Sequence, residues 1–371
     1  MRRPLLWVGR FRGHSSFAVA SRAYVGGLIR VIPGLEVRVA PLSVLEPGDP
    51  FSTLAVDPYD DDLSRFFELV HHVPTTDPEA DAYLCVTEYR RVPRDWVPCL
   101  EQAKLVVTQS TFCAERFAED LSDPAKVRVV PYPLGEEFHP EGPAVRYAPA
   151  DHFVVGSAFE WIPRKLPWLL LRAFTREFDP SESVALALRV WNVPTADRER
   201  ATALFSQWGR PGALTFVGEP LPSLAPFYRG LDAYCSCTAG EGWGQTLSEA
   251  VACGVPVVAA RHSGPLDFLN HERAYLVDVG DWEPVPPEST PPGAVRPGDP
   301  PLEWKLPDEG GLRRALRAAY EDWRCDEGPN GGGDDDDRRR SVAAAAAARL
   351  REKLDPARVA RQLWEAIEPF L

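Results

Sequence analysis

Short apolar segments alternate with amphipathic ones along most of the chain, and this alternation limits the possible folds more than any other feature. Strands that alternate with helices form parallel sheets with helices packed on both faces. The pattern therefore predicts an α/β fold. The strand candidates in the first half of the chain are Leu5 to Val8, Val37 to Val39, Ala82 to Val86, Leu105 to Thr108 and Val127 to Val130.

A second series of strands begins after an irregular segment, Gly135 to Asp151, that is rich in proline, glycine and charge. A segment without hydrophobic periodicity is typical of a domain boundary. The length of 371 residues agrees, because one domain usually takes about 150 residues. We predict two Rossmann-like, doubly wound domains, over residues 1–145 and 151–355. The strand candidates of the second series are Phe153 to Gly156, Val184 to Val190, Leu214 to Val217, Ala233 to Ser236 and Val255 to Ala259.

Two segments of the second domain have unusual compositions. Asp281 to Pro301 is rich in proline, which lacks an amide hydrogen and fixes φ, so we expect a surface loop that forms neither a ladder nor a helix. Gly331 to Arg340 reads GGGDDDDRRR, a low-complexity run that we expect to be flexible. The alanines from Ala343 to Ala348 should begin a helix.

The charge balance argues against nucleic acid as a partner. Asp and Glu number 54 against 41 Lys and Arg, a net charge of −13, whereas proteins that bind a phosphate backbone depend on a broad basic surface. A local pair of basic residues can still bind a small anion in an acidic protein.

The cysteines and the apolar segments argue against a metal-binding, secreted or membrane-spanning protein. Seven cysteines form no CxxC pair and no Cys/His spacing suited to zinc, so we expect reduced thiols and no metal site. Met1 to Arg12 has too few apolar residues for a signal sequence, and no apolar stretch reaches roughly 18 residues. We therefore expect a cytoplasmic protein without a transmembrane helix.

The stretch Thr238 to Ala260, TAGEGWGQTLSEAVACGVPVVAA, carries the strongest functional signal. Its glycines allow a tight turn after a strand, and a helix is predicted from Thr246 to Cys253. Amide groups at the start of that helix would bind a phosphate, because the N-terminus of a helix is positively polarised. The amides concerned are those of Gln245, Thr246 and Leu247.

Two glutamates of this stretch have two possible interpretations. Glu241 in the turn and Glu249 in the helix can face one cleft, one near sugar hydroxyls and the other near a ribose. Alternatively, Thr246 to Glu249 is a capping-box sequence in which Glu249 satisfies a helix amide, and Glu241 is a solvated loop residue. The motif alone leaves both open.

The spacing of Glu241 and Glu249, with Gly-Trp-Gly after the first and EAVACGVPVV across the second, resembles the E-x7-E motif of retaining GT-B glycosyltransferases of family 4. The flanking sequences, LAPFYRGLDAYCSC before it and SGPLDFLNHERAYLV after it, are similar to that family in the same order. The resemblance implies a GT-B fold whose two domains face a cleft. Residues 1–145 would form the acceptor side and 151–355 the donor side, with a C-terminal helix, 356–371, crossing back to the first domain.

The resemblance also implies roles for individual residues. Arg164 and Lys165 would neutralise the diphosphate of a nucleotide-sugar donor, a solvated cation pair being the alternative. Glu241 would bind hydroxyls of the sugar, and Glu249 those of the ribose. The other donor-side residues would shape the backbone or offer amides, and they are Gly242, Trp243, Gly244, Gln245, Thr246 and Leu247.

Candidates on the acceptor side carry a weaker signal. Gly13 and His14 lie in the first βα loop, where His14 would orient a phosphate or an acceptor hydroxyl. His72 precedes a Val-Pro pair and would face the sugar from a strand end, and Glu88 would point toward the cleft. The alternatives are surface histidines and a structural ion pair.

The activity implied by the resemblance is transfer of a hexose-type unit from a UDP- or GDP-sugar to a hydroxyl of a saccharide or other acceptor. It would proceed with retention at the anomeric carbon and without a metal or cofactor. A weak membrane-surface contact would suit a lipid-linked acceptor. Two rivals stay open: a sugar-nucleotide epimerase or phosphorylase on the same fold, and a non-catalytic nucleotide-sugar-binding subunit. No feature indicates an oligomeric state.

Overall fold

The computed structural model describes residues 3–12, 16–42, 49–56, 65–74, 79–218, 223–269, 274–327 and 334–371. The chain divides into two compact units. The first unit comprises Met1–Gly135, Pro284–Glu303 and Lys353–Leu371, and the second comprises Glu136–Glu283 and Trp304–Glu352.

The first unit is built on a six-stranded sheet whose neighbouring strands all run parallel. Its strands are β1 (Leu5–Gly9), β2 (Val37–Pro41), β3 (Phe67–His71), β4 (Ala82–Leu84), β5 (Leu105–Thr108) and β6 (Val127–Val129). They lie in the order β2-β1-β3-β4-β5-β6. The helices among them are α1 (Ser16–Val31), α2 (Val97–Gln102) and α3 (Thr111–Asp120).

Helix α3 shows how the sequence sets the limits of these elements. Ser110 caps the helix, because its Oγ accepts a hydrogen bond from the amide of Cys113 at 3.2 Å. The apolar face of the helix, which includes Phe117, then packs into the same buried cluster as Tyr83 and Val106 of the sheet.

The second unit repeats this architecture with its own six-stranded parallel sheet. Its strands are β7 (Phe153–Glu160), β8 (Val184–Trp191), β9 (Leu214–Phe216), β10 (Ala233–Ser236), β11 (Val257–Ala260) and β12 (Ala274–Val277). They lie in the order β12-β11-β10-β7-β8-β9. The helices of this part are α4 (Pro167–Glu177), α5 (Thr195–Gln207), α6 (Ala225–Arg229) and α7 (Gln245–Ala252).

Each sheet is doubly wound, as the sequence predicts. The chain starts inside the sheet, at β1 or β7, adds strands on one side and then adds the rest on the other. The strand order therefore reverses between β1 and β3 in the first unit and between β7 and β10 in the second. In folds of this kind, ligands bind outside the carboxyl ends of the strands at such a reversal.

The proline-rich segment differs from the prediction. A two-stranded sheet pairs β13 (Val279–Pro284) with β14 (Glu303–Pro307), so a ladder forms at the ends of the segment. It forms because amides between the prolines can still donate, as Val285 does to Leu302 O at 2.8 Å. Residues Pro284–Glu303, the strap, pack with the first unit. There, the amides of Arg90 and Arg94 donate to Glu303 O and Ala294 O, each at 2.9 Å.

The helix after the low-complexity run starts earlier than expected. After α8 (Glu309–Glu327), helix α9 (Asp334–Lys353) begins in the acidic run, so the prediction of a helix beginning at Ala343 is wrong. Aspartates are favourable in the first turn of a helix because they complement its dipole. Residues 331–333 of the run lie outside the described residues.

The chain ends in α10 (Pro356–Ile367), which packs against α1 within the first unit. A side chain at Gly27 of α1 would come within 2.9 Å of the Ala360 Cβ, so glycine permits the close approach of the two helices. In the described part of the chain, no helix combines the length and apolarity needed to cross a bilayer.

Candidate functional site

The candidate site of the second unit lies where its strand order reverses. β10 pairs with β7 in parallel, with Ala233 opposite Val155, so both strands deliver their following loops to the same edge of the sheet. β11 lies beside β10 in the same direction. Three loops, after β7, β10 and β11, therefore meet at one edge, where a ligand is expected to bind.

Three charged side chains from two of these loops form a cluster. Lys165 Nζ donates to Glu241 Oε1 at 2.5 Å, and an Arg164 nitrogen lies 3.6 Å from Glu241 Oε2. Arg164 also donates to Gly240 O at 2.6 Å. Burial raises the pKa of Glu241, but the two cations outweigh it and hold that pKa below its ordinary value. Glu241 is therefore ionised at neutral pH, and the cluster carries one excess positive charge.

The loop after β11 holds the turn that carries Glu241. The Glu241 amide donates to Ser263 Oγ at 3.0 Å, and the Gly264 amide donates back to Glu241 O at 3.0 Å. A Cβ at Gly264 would lie 2.2 Å from Gly242 O, so only glycine fits there. Ser263 has φ 64° and ψ −157°, a conformation that strains a non-glycine residue by about 1–3 kcal/mol. Such strain persists where the surroundings strongly determine the backbone.

Helix α7 begins directly after this turn and presents its N-terminus at the same edge. Gly244 precedes it with φ 88°, and a Cβ there would lie 2.9 Å from the Pro265 ring. Within the described residues, no carbonyl accepts from the amides of Gln245 and Thr246, so both can donate to an anion. The expectation for Leu247 is wrong, because its amide donates to Gly244 O at 3.0 Å as the first turn tightens.

Glu249 lies on α7 and is only 4% exposed. Its carboxylate accepts hydrogen bonds from Tyr228 OH at 2.8 Å and from Gln245 Nε2 at 3.0 Å. The capping-box interpretation is therefore wrong, because Glu249 bonds to side chains and α7 has no side-chain cap. Burial raises the pKa of Glu249 to about 8, against the opposing effect of these two hydrogen bonds.

Trp243 packs inward beside this turn. Its ring lies 4.8 Å from that of Phe268 and is 2% exposed. Its indole nitrogen is buried and has no hydrogen-bond partner in the described part of the chain. A buried unpaired donor is uncommon in native proteins and is compatible with a ligand acceptor nearby.

The candidates in the first unit are not brought together in the same way. Gly13 and His14 lie outside the described residues. His72 directly follows β3 at the reversal of the first sheet, and its pKa is lowered by burial and by the nearby Arg10. Glu88 is partly buried in the loop after β4.

Sequence reasoning missed two residues that organise the site. Tyr228 lies in α6, 21 positions before Glu249, and reads as an ordinary apolar helix residue. Ser263 lies three residues after the end of the buried strand β11, in the stretch SGPLDFL, where the glycine beside it is the visible signal. Both act through contacts that are distant in sequence.

The sequence of the second unit matches a known family. Residues 151–285, just over a third of the chain, match the family model described as Glycosyl transferases group 1. A stretch of 144 residues is 31% identical to a D-inositol 3-phosphate glycosyltransferase of Mycolicibacterium smegmatis, covering 38% of this chain and 33% of that protein. Another of 137 residues is 28% identical to the lipopolysaccharide core biosynthesis glycosyltransferase LpsE of Rhizobium meliloti, covering 36% of this chain and 38% of that protein.

The chain spans between 33% and 38% of the length of these curated relatives. The fold is similar over the whole chain to that of HepE from Anabaena, solved in complex with UDP and glucose, with a TM-score of 0.67, 14% identity and 100% coverage of both chains. At this identity the likeness concerns the fold. The chain therefore has the GT-B fold, and its residues 151–285 match the glycosyl transferases group 1 family.

Proposed function

We propose that this protein is a retaining glycosyltransferase of family 4 that transfers a hexose-type unit from a UDP- or GDP-sugar to a hydroxyl of a saccharide or other acceptor. The observation that carries the proposal is the cluster of Arg164, Lys165 and Glu241 beside the N-terminus of α7. The names of the two curated relatives, both glycosyltransferases, support sugar transfer. The UDP and glucose bound to HepE support a nucleotide-sugar donor.

The diphosphate of the donor would bind between the cations and the start of α7. Breaking the bond from sugar to phosphate adds negative charge to the leaving nucleoside diphosphate. Arg164, Lys165 and the amides of Gln245 and Thr246 are prepositioned for that charge, and such groups stabilise a transition state without reorganising. Lys165 would then be shared between Glu241 and a phosphate oxygen.

The two glutamates would bind the two sugars of the donor. Glu241 is ionised and its oxygens face cations, so it can accept hydrogen bonds from hydroxyls of the transferred sugar. Glu249, one turn into α7, would accept from the hydroxyls of the ribose. In this arrangement the anomeric carbon would lie between Glu241 and the diphosphate.

The proposal needs no metal or cofactor. In many phosphate sites a divalent cation neutralises the leaving group, and here two side-chain cations and a helix N-terminus would take that role. In a front-face reaction the departing phosphate accepts the proton of the acceptor hydroxyl, so no dedicated base is required.

For the remaining features we propose a cytoplasmic location, with a weak membrane-surface contact if the acceptor is lipid-linked. His72 and Glu88 stay candidates for the acceptor side. Cell fractionation followed by a salt wash tests the location, and an integral-membrane pool that resists the wash would contradict it.

The donor site is tested by thermal unfolding with UDP, GDP, ADP and TDP. A nucleotide present at about 100 times its dissociation constant stabilises the folded state by ~2.7 kcal/mol, which raises the melting temperature by several degrees. One nucleotide should stabilise the wild type and should lose this effect in Glu249→Ala and in Lys165→Ala. Lys104→Ala, which removes a lysine paired with Asp81 in the first unit, is the matched control and should keep it.

Hydrolysis or transfer with the matching nucleotide-sugar then separates an enzyme from a binding subunit. NMR of the product reports the anomeric configuration and so tests retention. If no nucleotide stabilises the wild type, the proposed donor site is wrong.

A further inference from the structure

The carboxylate of Glu249 keeps two acceptor positions next to each other. A carboxylate has about four lone-pair positions. Within the described residues, Tyr228 OH occupies one on Oε2 and Gln245 Nε2 occupies one on Oε1. Each oxygen therefore retains capacity for another donor, and two adjacent acceptors match the two hydroxyls of a vicinal diol.

The ring of Tyr228 is held rigidly. It is completely buried and contacts the rings of Tyr234, Phe227 and Phe138 at centroid distances of 5.4, 5.7 and 6.1 Å. Burial and the adjacent Glu249 raise the pKa of Tyr228 well above its ordinary value, so its hydroxyl stays protonated. Tyr228 is thus a permanent donor with a fixed direction.

Gln245 supports the carboxylate from the other oxygen. Its amide nitrogen must face Glu249 to donate, which directs its own Oε1 away from the carboxylate. That Oε1 is buried and has no hydrogen-bond partner in the described part of the chain. A buried acceptor without a partner is uncommon in native proteins and is compatible with a ligand hydroxyl nearby.

We propose that Tyr228 is a positioning residue of the donor site, whose hydroxyl holds the Glu249 carboxylate so that its two open acceptor positions face the ribose diol of the nucleotide. This inference rests on the proposed function, from which it takes the ribose as the ligand. Tyr228 itself does not touch the nucleotide.

The hydrogen bond from Tyr228 also affects how ribose binding depends on pH. Only the ionised carboxylate can accept from both hydroxyls, and burial raises the pKa of Glu249 to about 8. The hydrogen bond from Tyr228 lowers that pKa, so removing it moves ionisation, and with it ribose binding, to higher pH. The other titratable groups that act on Glu249 are Glu137, Tyr234 and Cys253.

The experiment measures dissociation constants of UDP and 2′,3′-dideoxy-UDP by calorimetry across neutral and alkaline pH. GDP and its dideoxy form are run in parallel. The dideoxy ligand lacks the diol but keeps the phosphates, so the ratio of the two constants cancels the titration of the phosphates themselves. Tyr228→Phe keeps the ring and removes only the hydroxyl. Tyr24→Phe is the matched control, because Tyr24 is equally buried and donates to Pro131 O at 2.7 Å in the first unit.

Tyr228→Phe should weaken binding of the ribonucleotide roughly tenfold near pH 7.5, the scale of a hydrogen bond to a charged group. The loss should shrink as the pH rises, and the dideoxy ligand should bind both proteins equally. Tyr24→Phe should leave all constants unchanged. In a Glu249→Gln background, adding Tyr228→Phe should cause no further loss, because the tyrosine acts through the glutamate.

Other outcomes overturn the proposal. An equal loss for both ligands, or a loss independent of pH, would mean that Tyr228 supports only the fold. If the wild type binds UDP and GDP no better than their dideoxy forms, Glu249 does not bind the ribose and Tyr228 has no such role. If the wild type binds none of the nucleotides, the proposed donor site itself is wrong, and this inference falls with it.

Discussion

The two sheets present equivalent edges with different chemistry. At the edge where β1 and β3 end, the buried polar side chains Trp7, Ser21 and His71 are uncharged and lie among aromatic rings. Trp7 Nε1 donates to Ser21 Oγ at 3.2 Å, and Ser21 Oγ lies 2.7 Å from His71 Nδ1. At the edge where β7 and β10 end, three charged side chains meet, those of Arg164, Lys165 and Glu241.

This difference separates what topology determines from what side chains determine. Both edges lie at a reversal of strand order, which is where ligands bind in doubly wound sheets. The second edge combines two partly buried cations with open helix amides, a combination that favours an anionic ligand. The fold locates a site, and the residues on it decide its chemistry.

The largest expected effect comes from removing the charge of Glu241. Glu241→Gln should lower the rate of sugar transfer roughly 10²–10³-fold, the scale of losing one prepositioned polar group at a reacting centre. Affinity for the nucleoside diphosphate should not fall, because the substitution removes an anion beside Arg164 and Lys165. Single-turnover transfer and calorimetry with the diphosphate measure the two effects separately.

Glu303→Gln is the matched control in the first unit, since Glu303 is also paired with an arginine, Arg90, at 3.1 Å. It should leave both quantities unchanged. A loss of diphosphate affinity in Glu241→Gln would show that Glu241 organises the cations for the diphosphate, contrary to this prediction. The charged cluster at the second edge would then have a structural role more than a reactive one.

The second expected effect is on stability between about pH 4.5 and 8. The pKa of Glu249 is raised to about 8 in the folded state, so this group favours folding below its unfolded pKa near 4.5. That contribution is lost as the pH rises from about 4.5 through 8, by at most about 1.4 kcal/mol per pH unit. Glu249→Gln should be less sensitive to pH in this window and more stable than the wild type at its upper end. Urea unfolding at several pH values measures the slopes.

Parallel slopes for the wild type and Glu249→Gln would mean that Glu249 is already ionised in the folded protein. The stabilised variant should also lose nucleotide binding. Such a combination is expected where a functional site keeps a group that destabilises the fold.

The first unit should respond to pH in the opposite direction. Burial, and to a lesser degree His72, lowers the pKa of His71 from 6.5 to about 3. A depressed histidine pKa favours folding above the unfolded value, and this contribution is lost as the pH falls from 6.5 toward 3. His71→Phe should therefore flatten the acid side of the stability profile and leave the alkaline side unchanged. The effect should be smaller than that of Glu249, because carboxylate protonation overlaps the lower part of this window.

An unchanged acid limb in His71→Phe would show that this buried histidine does not govern the response. Paired urea titrations of His71→Phe and Glu249→Gln place the two effects on one scale. If both variants change the slope of stability against pH in the same direction, the proposed contrast between the edges is wrong.

Much of this fold could be predicted from the sequence because its signals are local. Most strands of the two large sheets are short buried runs, and strand, turn and helix follow one another in the chain. The cluster of Arg164, Lys165 and Glu241 could be predicted for the same reason. The cation pair follows a strand directly, and Glu241 lies in a glycine turn after another strand, so the parallel order of β7 and β10 brings them together.

The parts that could not be predicted depend on contacts between distant positions. No sequence feature near Tyr228 indicates that its hydroxyl donates to Glu249. The Leu247 amide is not available to a ligand because it donates to Gly244 O in the tightened first turn of α7. The prediction that the strap forms no ladder was wrong because it considered only the number of prolines. The amides between the prolines determine whether the strands pair. Val285 and Leu302 form a ladder bond that composition does not reveal.

The smallest expected effect concerns the strap, which interrupts the sequence of the second unit but packs with the first. Gly293 and Gly298 both have positive φ, 82° and 92°, so alanine at either should cost about 1 kcal/mol of stability. Only at Gly293 would the new Cβ also press on a neighbour, Asp95 Oδ2 at 3.1 Å, whereas Gly298 has open space. Gly293→Ala should therefore be more destabilising than Gly298→Ala by roughly 0.5–1 kcal/mol, the scale of mild overpacking. Urea midpoints measure the difference, and amide exchange at Arg94, which donates to the strap, should accelerate only in Gly293→Ala. Equal midpoints and equal exchange in the two variants would mean that the contact with Asp95 does not hold the strap to the first unit.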